Sequence, residues 1–371
     1  GGDEQGETAG GGEISIQTGW ASLAPLGGCR RDKTDRTEQA VRIGIYSPNW
    51  VGDAVMSLPF IGNFRGRYRD AEIVILARPW VSALFENHPF INKVVVLNTG
   101  SSAGAVATTR EGLRLRDLDL DRFYLLSDSW RSAYLARLSG AQDRIGFSGQ
   151  WRSFLLTTAV KPPSQPRHRS ERYLALLSGE YDFGEDSTGI HLRQEEVEWA
   201  GSELQSLGMT SPIAVFPSSV ASSRQVPSEK WQAILTLASK DGAELLLFGS
   251  AADRKVGNEL SARLGGDGVR SVCGVYSLRQ SVALISQCAG AIGTDSGLSH
   301  VAANLGLKTV TIFGAGDAAW TAPLGPKTAV ISQNVYCSPC RKNICHNKDE
   351  PLICLTSLEA DKIWQTYLSL E

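Results

Sequence analysis

From Val41 onward, short apolar runs alternate with amphipathic stretches, and that rhythm limits the folds open to the chain more than any other feature. "VRIGIYS", "AEIVILA", "KVVVLN" and "FYLLS" read as buried strands, separated by helical patterns such as "GDAVMSLPFIGNFRGRY" and "SWRSAYLARLSG". Strand, helix and strand in repetition predict a parallel sheet covered on both faces. A polar interval over residues 178–196 interrupts the pattern. It then restarts with "PIAVFPSS", "AELLLFGS", "GVRSVCG", "CAGAIGT" and "KTVTIFG". The expected class is therefore α/β, with two doubly wound, Rossmann-like units in tandem, and 371 residues suffice for two cores. The expected boundaries are 41–185 for the first unit, 186–356 for the second and 357–371 for a C-terminal helix. Residues 1–40 are Gly-rich and aperiodic, and are expected to form a disordered tail.

Charge and hydropathy exclude several function classes. A formal net charge of -2 gives no general attraction to nucleic acid, so an anionic partner must be met by a local basic patch. No apolar stretch approaches the roughly 20 residues of a membrane-spanning helix. The first forty residues lack the apolar region of a secretory signal, so a cytoplasmic protein is expected.

In doubly wound sheets, ligands sit beyond the carboxyl ends of the strands. The second unit places "PSSVASSRQVP", "GSAADRKVG", "GVYSLRQ" and "TDSGLSH" there, and none is a Walker A loop or a complete dinucleotide fingerprint. Their Ser, Gly and single cations suit a phosphate held without a dedicated loop. Ser296 and Gly297 open a helix whose free N–H groups can receive a diphosphate, and Gly297 permits close approach. His300 lies one turn further along. Ser296 also reads as a simple N-cap and His300 as a satisfied histidine. Asp295 is harder to explain structurally, because an acid at the end of a buried strand costs desolvation. In the first unit, the loop Pro48 to Gly52 leads to Asp53 at a helix start. Asp53 is either a first-turn acid complementing the helix dipole or a general base.

Together "GDAVMSLP", "FPSSVASSRQVPSEKW", "LLFGSAADRKVGNEL" and "GTDSGLSHVAANLGLKTVTIFG" resemble the bacterial heptosyltransferases of glycosyltransferase family 9, of the heptosyltransferase II type. The resemblance runs from about Val41 to the C-terminus. It implies a GT-B fold, with a first domain for the acceptor and a second for ADP-heptose, and inverting transfer of heptose to the inner core of lipopolysaccharide. It further implies Asp53 as the base. Ser219, Arg224, Asp253, Tyr276, Asp295, Ser296, Gly297 and His300 then fall at the donor, and Asn49, Trp50, Gly52, Arg167 and Arg169 at the acceptor. Arg224 stands where the family has Lys, and Val226 where it has Trp. A GT-B protein that binds or epimerises a nucleotide sugar without transfer, or a family transferase for another sugar, is the alternative.

No cofactor is expected in catalysis: helix N-termini and Arg224 can neutralise the leaving diphosphate, and the acidic run Asp117 to Asp121 reads as a solvated strand entrance rather than a metal site. Cys337, Cys340, Cys345 and Cys354 cluster in one loop and are a candidate structural zinc site, against reduced thiols or a local disulfide. The acceptor implied by the resemblance is the anionic lipid A–Kdo core. Two basic stretches are candidates to meet it: Arg65, Arg67 and Arg69, and Lys161, Arg167, His168, Arg169 and Arg172. Residues 99–109 are expected to form a flap. The protein is expected to act as a monomer, with peripheral membrane contact because the acceptor is lipid-borne.

Overall fold

The computed structural model describes residues 14–15, 40–98, 104–164, 167–177, 189–266 and 268–371. Strand β1 (Ile14–Ser15) is the only part of the expected tail among them apart from residue 40. The expected linker over 180–192 lies outside the described residues up to 188, as do residues 99–103 of the expected flap; residues 105–109 begin the helix Ala105–Arg114.

The first sheet contains β2 (Arg42–Tyr46), β3 (Glu72–Ala77), β4 (Lys93–Val96), β5 (Arg122–Leu125), β6 (Asp143–Phe147) and β7 (Thr158–Val160). Its strands are parallel in the order β4-β3-β2-β5-β6-β7. The second sheet contains β8 (Ile213–Phe216), β9 (Leu245–Leu247), β10 (Val269–Ser271), β11 (Gly290–Thr294), β12 (Thr309–Phe313) and β13 (Thr328–Ser332). Its order is β1-β13-β12-β11-β8-β9-β10, parallel except for β1, which pairs antiparallel with β13. β8, β11 and β12 are buried along their whole length, which is why they appear as unbroken apolar runs. β6, β7 and β13 escape that reading. β6 opens on the charged pair Asp143 and Arg144, and β7 is three residues at a sheet edge.

Each sheet reverses its winding once. In the first the chain proceeds outward from β2 through β3 to β4, then returns to the other side of β2 with β5. In the second it does the same from β8, returning with β11. These two reversals are the switch points at which loops diverge and a crevice opens. The first reversal carries Asp53 and the second carries Ser219, Arg224 and Asp295.

The two switch points are pressed together by helices Val51–Met56 and Gly297–Asn304. Contact this close needs glycine on both sides. A Cβ on Gly52 would lie 2.8 Å from His300 Cδ2, and one on Gly297 would lie 2.7 Å from Val51 Cβ. A single buried apolar cluster runs through this contact, joining Ala54, Val55 and Met56 to Val301 and Ala302. Arg279 ties the domains at a second place, donating to Ala83 O at 3.0 Å while pairing with Glu196 at 2.6 Å. The C-terminal helix Ala360–Ser369 packs on helix Ser228–Lys240, and Trp364 Nε1 donates to Asp241 at 2.6 Å. Among the described residues no helix is long and apolar enough to cross a membrane.

Replacing Gly52 by Val should force the two helices apart, at a cost of about 1–3 kcal/mol of overpacking. The expected result is at least a roughly tenfold fall in transfer with a folded, slightly less stable protein, since each ~1.4 kcal/mol of transition-state misplacement is tenfold. Unchanged kcat/KM would show that the contact is irrelevant to the site.

Candidate active site at the domain junction

Asp53 sits in the first turn of helix Val51–Met56, whose N-cap Trp50 provides no side-chain cap. Its carboxylate faces Arg169, with Arg169 Nη1 3.8 Å from Asp53 Oδ2. Arg169 opens the helix Arg169–Leu174, and His168 caps that helix by accepting from the Ser170 amide at 3.3 Å. The other nitrogen of His168, Nε2, lies 2.9 Å from Ala322 O in the second domain. Because that carbonyl only accepts, the contact sets the proton on Nε2. One imidazole thus links domain position to the placement of Arg169.

Behind Asp53 lies a network that the sequence reading missed in part. Asp128, just beyond β5, pairs with Arg172, and its other oxygen is 3.4 Å from Arg152 Nη2. Arg152 is fully buried and donates to Phe147 O at 2.9 and 2.8 Å and to Ser127 O at 2.6 Å. Asp128 carried a usable signal: like Asp295, it is an acid directly after an apolar strand. Arg152 carried none, because only the fold shows that it points inward.

In the second domain, β11 ends in Thr294 and delivers Asp295 into the junction. Thr294 Oγ1 donates to Ser218 O at 3.1 Å and Ser219 Oγ to Asp295 O at 3.2 Å, stitching the loop after β8 to the end of β11. Arg224 Nη1 lies 3.2 Å from Asp295 Oδ2. Gly316 makes room for that carboxylate, since a Cβ there would be 2.0 Å from Asp295 Oδ2. Ser296 is the N-cap residue of helix Gly297–Asn304, yet its hydroxyl caps nothing.

Several atoms at this junction are buried without a hydrogen-bond partner: Asn49 Oδ1, Ser170 Oγ, Arg224 Nε, Ser296 Oγ and His300 Nδ1, while Asp295 Oδ2 meets the Arg224 guanidinium. Buried polar atoms are normally paired, so this concentration marks a place that expects a polar ligand.

The family model described as glycosyltransferase family 9 (heptosyltransferase) matches residues 109–350. The chain belongs to glycosyltransferase family 9. Lipopolysaccharide heptosyltransferase 2 of Escherichia coli K12 is 30% identical over 309 residues, covering 78% of this chain and 88% of that one. The Salmonella typhimurium protein of the same name is 30% identical over 308 residues, with the same coverage. The solved structure of E. coli ADP-heptose lps heptosyltransferase II superposes with a TM-score of 0.72 at 25% identity, covering 89% of this chain and 98% of that one. A family 9 glycosyl transferase from Veillonella parvula shares the fold, with a TM-score of 0.77 at 18% identity, covering 89% and 96%. The two-sheet architecture is that of the GT-B fold, as expected from the sequence.

Not every residue expected at the site of this glycosyltransferase points into the junction. Asp253 Oδ2 is taken up locally, accepting from the amide and hydroxyl of Ser250 at 2.8 and 2.6 Å. The Tyr276 hydroxyl donates to Glu203 at 2.6 Å and its ring packs against Trp199. Arg167 is exposed and lies 3.9 Å from Glu171. In the basic stretch 65–69, Arg65 braces a turn through the carbonyls of Tyr68, Arg69 and Ala71. Asp121 accepts the Arg42 amide at 2.8 Å, as suits a strand entrance.

The zinc expectation gains no support. Cys337, Cys340, Cys345 and Cys354 are free thiols, and among the described residues no three His, Cys, Asp or Glu side chains are placed to hold a metal ion. Cys340 is exposed, while Cys354 is buried against the core beside Leu355. Burial pushes the Cys354 thiol up to about 11, with the neighbouring thiols adding to the rise.

Burial raises the pKa of Asp53 above the usual carboxylate range, opposed first by Arg169 and then by Arg224. It raises Asp295 to about 6, again opposed by Arg224. His300 is pushed down to about 3 by burial, so it is a neutral imidazole at physiological pH. A base must be ionised to act, so transfer should fall as pH drops through the raised Asp53 value. Replacing Arg169 by Met removes the first-ranked opposing charge, and the acid limb of the pH–kcat/KM profile should move to higher pH. An unmoved limb would show that Arg169 does not tune Asp53.

Proposed function

We propose that this family 9 enzyme transfers heptose, with inversion, from ADP-L-glycero-D-manno-heptose to the lipid A–Kdo inner core of lipopolysaccharide. The observation that carries the reading is the cluster of buried polar groups on the second domain, the unpaired Ser296 hydroxyl beside the ion-paired Arg224 and Asp295, directly across the helix contact from Asp53. A diphosphate is the ligand such a cluster suits. It can accept from the free amides opening helix Gly297–Asn304, from the Ser296 hydroxyl and from Arg224. Relatives named heptosyltransferase 2 support the sugar and the acceptor.

In this reading Asp53 takes the proton from the acceptor hydroxyl as its oxygen attacks the anomeric carbon from the face opposite the diphosphate. The bond from that carbon to the phosphate oxygen breaks and ADP leaves with the electron pair. Arg224 and the helix amides stabilise the charge that develops on the leaving group. The raised Asp53 pKa makes its carboxylate the stronger base. The acceptor's anionic groups meet Arg169, with Asn49, Trp50 and Gly52 framing the approach. Because one chain supplies both halves of the site, a monomer suffices.

Asp53→Asn should retain donor affinity within about twofold while kcat falls by about 10²–10⁴, the usual contribution of a positioned base. Unchanged transfer would reduce Asp53 to a helix-dipole acid and end this mechanism.

A further inference from the structure

The cysteine-bearing loop after β13 is fastened behind the second domain's half of the junction by residues other than its cysteines. Ser223 donates through its amide to Asn343 O at 3.2 Å and through its hydroxyl to Lys342 O, and Ser222 Oγ donates to Asn343 O at 3.3 Å. These bonds hold the short turn Ser222–Arg224, whose last residue pairs with Asp295. On the other side of the loop, the Arg341 amide donates to Ala315 O at 2.7 Å and Ser338 Oγ to Gly314 O at 2.6 Å. Those two residues immediately precede Gly316, which leaves Asp295 its space.

The Arg341 side chain reaches further. Its Nη2 lies 3.1 Å from Asp317 Oδ2, and its Cζ stands 4.5 Å from the centre of the Trp320 ring. Asp317 caps the helix Ala318–Thr321 by accepting from the Ala319 amide at 3.2 Å, and Trp320 lies within that helix. The next residue, Ala322, offers the carbonyl that receives His168 Nε2 from the first domain. A one-turn helix has too few internal bonds to hold its own position, so the grip of Arg341 on its cap and its indole decides where Ala322 O lies. The backbone at Arg341, with φ of 56°, suits glycine better than arginine. What arginine adds there is its side chain.

We propose that Arg341 is a positioning residue for transfer: it fixes the helix Ala318–Thr321 so that Ala322 O holds His168, and with it Arg169, in place against Asp53. The inference deepens the proposed role of Asp53 and rests on it. Asp53 is faced by Arg169, Arg172 and Tyr173 from one helix, by Asp128 from beyond β5, and by Arg224, Asp295 and the neutral His300 from the second domain. Arg172 is held by Asp128, whereas Arg169 begins its helix beside the His168 cap. Arg169 is therefore the charge that a loosened His168 would release.

The test compares pH–kcat/KM profiles of the full chain carrying Arg341→Gly or Asp317→Asn; asparagine keeps the helix cap but not the ion pair. Each variant should lose about tenfold in kcat/KM while Tm stays within about 3 °C of wild type. In both, the acid limb should move to higher pH, because an Arg169 less firmly held opposes burial less. Direct electrostatics predicts otherwise: losing a cation raises the Asp53 pKa, but losing an anion lowers it. A limb in Asp317→Asn that stays still or moves to lower pH would overturn the proposal, and this variant decides alone if Arg341→Gly fails to fold. Arg341→Lys, which keeps the charge without the planar fork, should recover part of the loss; no recovery would count against the proposal. Either variant combined with Arg169→Met should move the limb no further than Arg169→Met alone, and additive shifts would contradict the route through Arg169. Without substrates, the His168 Nε2 proton should exchange with solvent at least about tenfold faster in both variants than in wild type, and equal exchange would overturn the proposal. That readout does not need Asp53 to be the base. If Asp53→Asn transfers normally the mechanism fails, and proton exchange still judges the positioning.

Discussion

Everything at the active site depends on two glycines. Gly52 and Gly297 let helices from different sheets approach until His300 rests on one backbone and Val51 on the other. Each helix follows a strand that borders a switch point, β2 in the first sheet and β11 in the second, so bringing the helices together superposes the two places where each sheet opens a crevice. A side chain at either glycine would hold the carboxylate of Asp53 away from the groups around Ser296. The reach of a hydrogen bond leaves only tenths of an ångström to spare.

The contact also sets the electrostatics. Burial raises the pKa of both acids, Asp53 adds to the rise of Asp295 from across the junction, and Arg224 is near enough to oppose both. The partly buried Asp53, the buried Asp295 and the guanidinium groups of Arg169 and Arg224 make a site whose charges are incompletely satisfied without a ligand. That is costly for folding, and the rest of the structure supports it: Arg152 and Arg172 hold Asp128, Tyr173 is buried beneath Arg169, and Ser219 ties the loop after β8 to β11. An incoming diphosphate would find donors already aimed and already desolvated, which is the condition for strong stabilisation of developing charge.

Much of this was legible in the sequence because buried parallel strands appear as continuous apolar runs. Asp53, Asp295, Ser296 and Gly297 could be singled out because each lies just beyond such a run. What escaped was decided by long-range packing. Tyr276 sits on an expected loop, but Glu203, far away in sequence, takes up its hydroxyl; Asp253 is held instead by Ser250 in a capping box, a pattern that the sequence does show. Gly316 matters for the space it leaves Asp295, and Arg152 for buried hydrogen bonds to Phe147 and Ser127 that only the fold brings together. The cysteine spacing suggested a metal, yet among the described residues no three ligand side chains are placed to hold one, and spacing does not encode side-chain orientation.

The central claim is that Asp53 faces a diphosphate held at the N-terminus of helix Gly297–Asn304. Diffraction from crystals grown with a non-transferable ADP-heptose analogue tests it most directly. The account predicts phosphate oxygens within about 3 Å of the Gly297 amide and Arg224, with the anomeric carbon turned toward Asp53. A diphosphate bound elsewhere, or a sugar whose anomeric carbon faces away from Asp53, would contradict it.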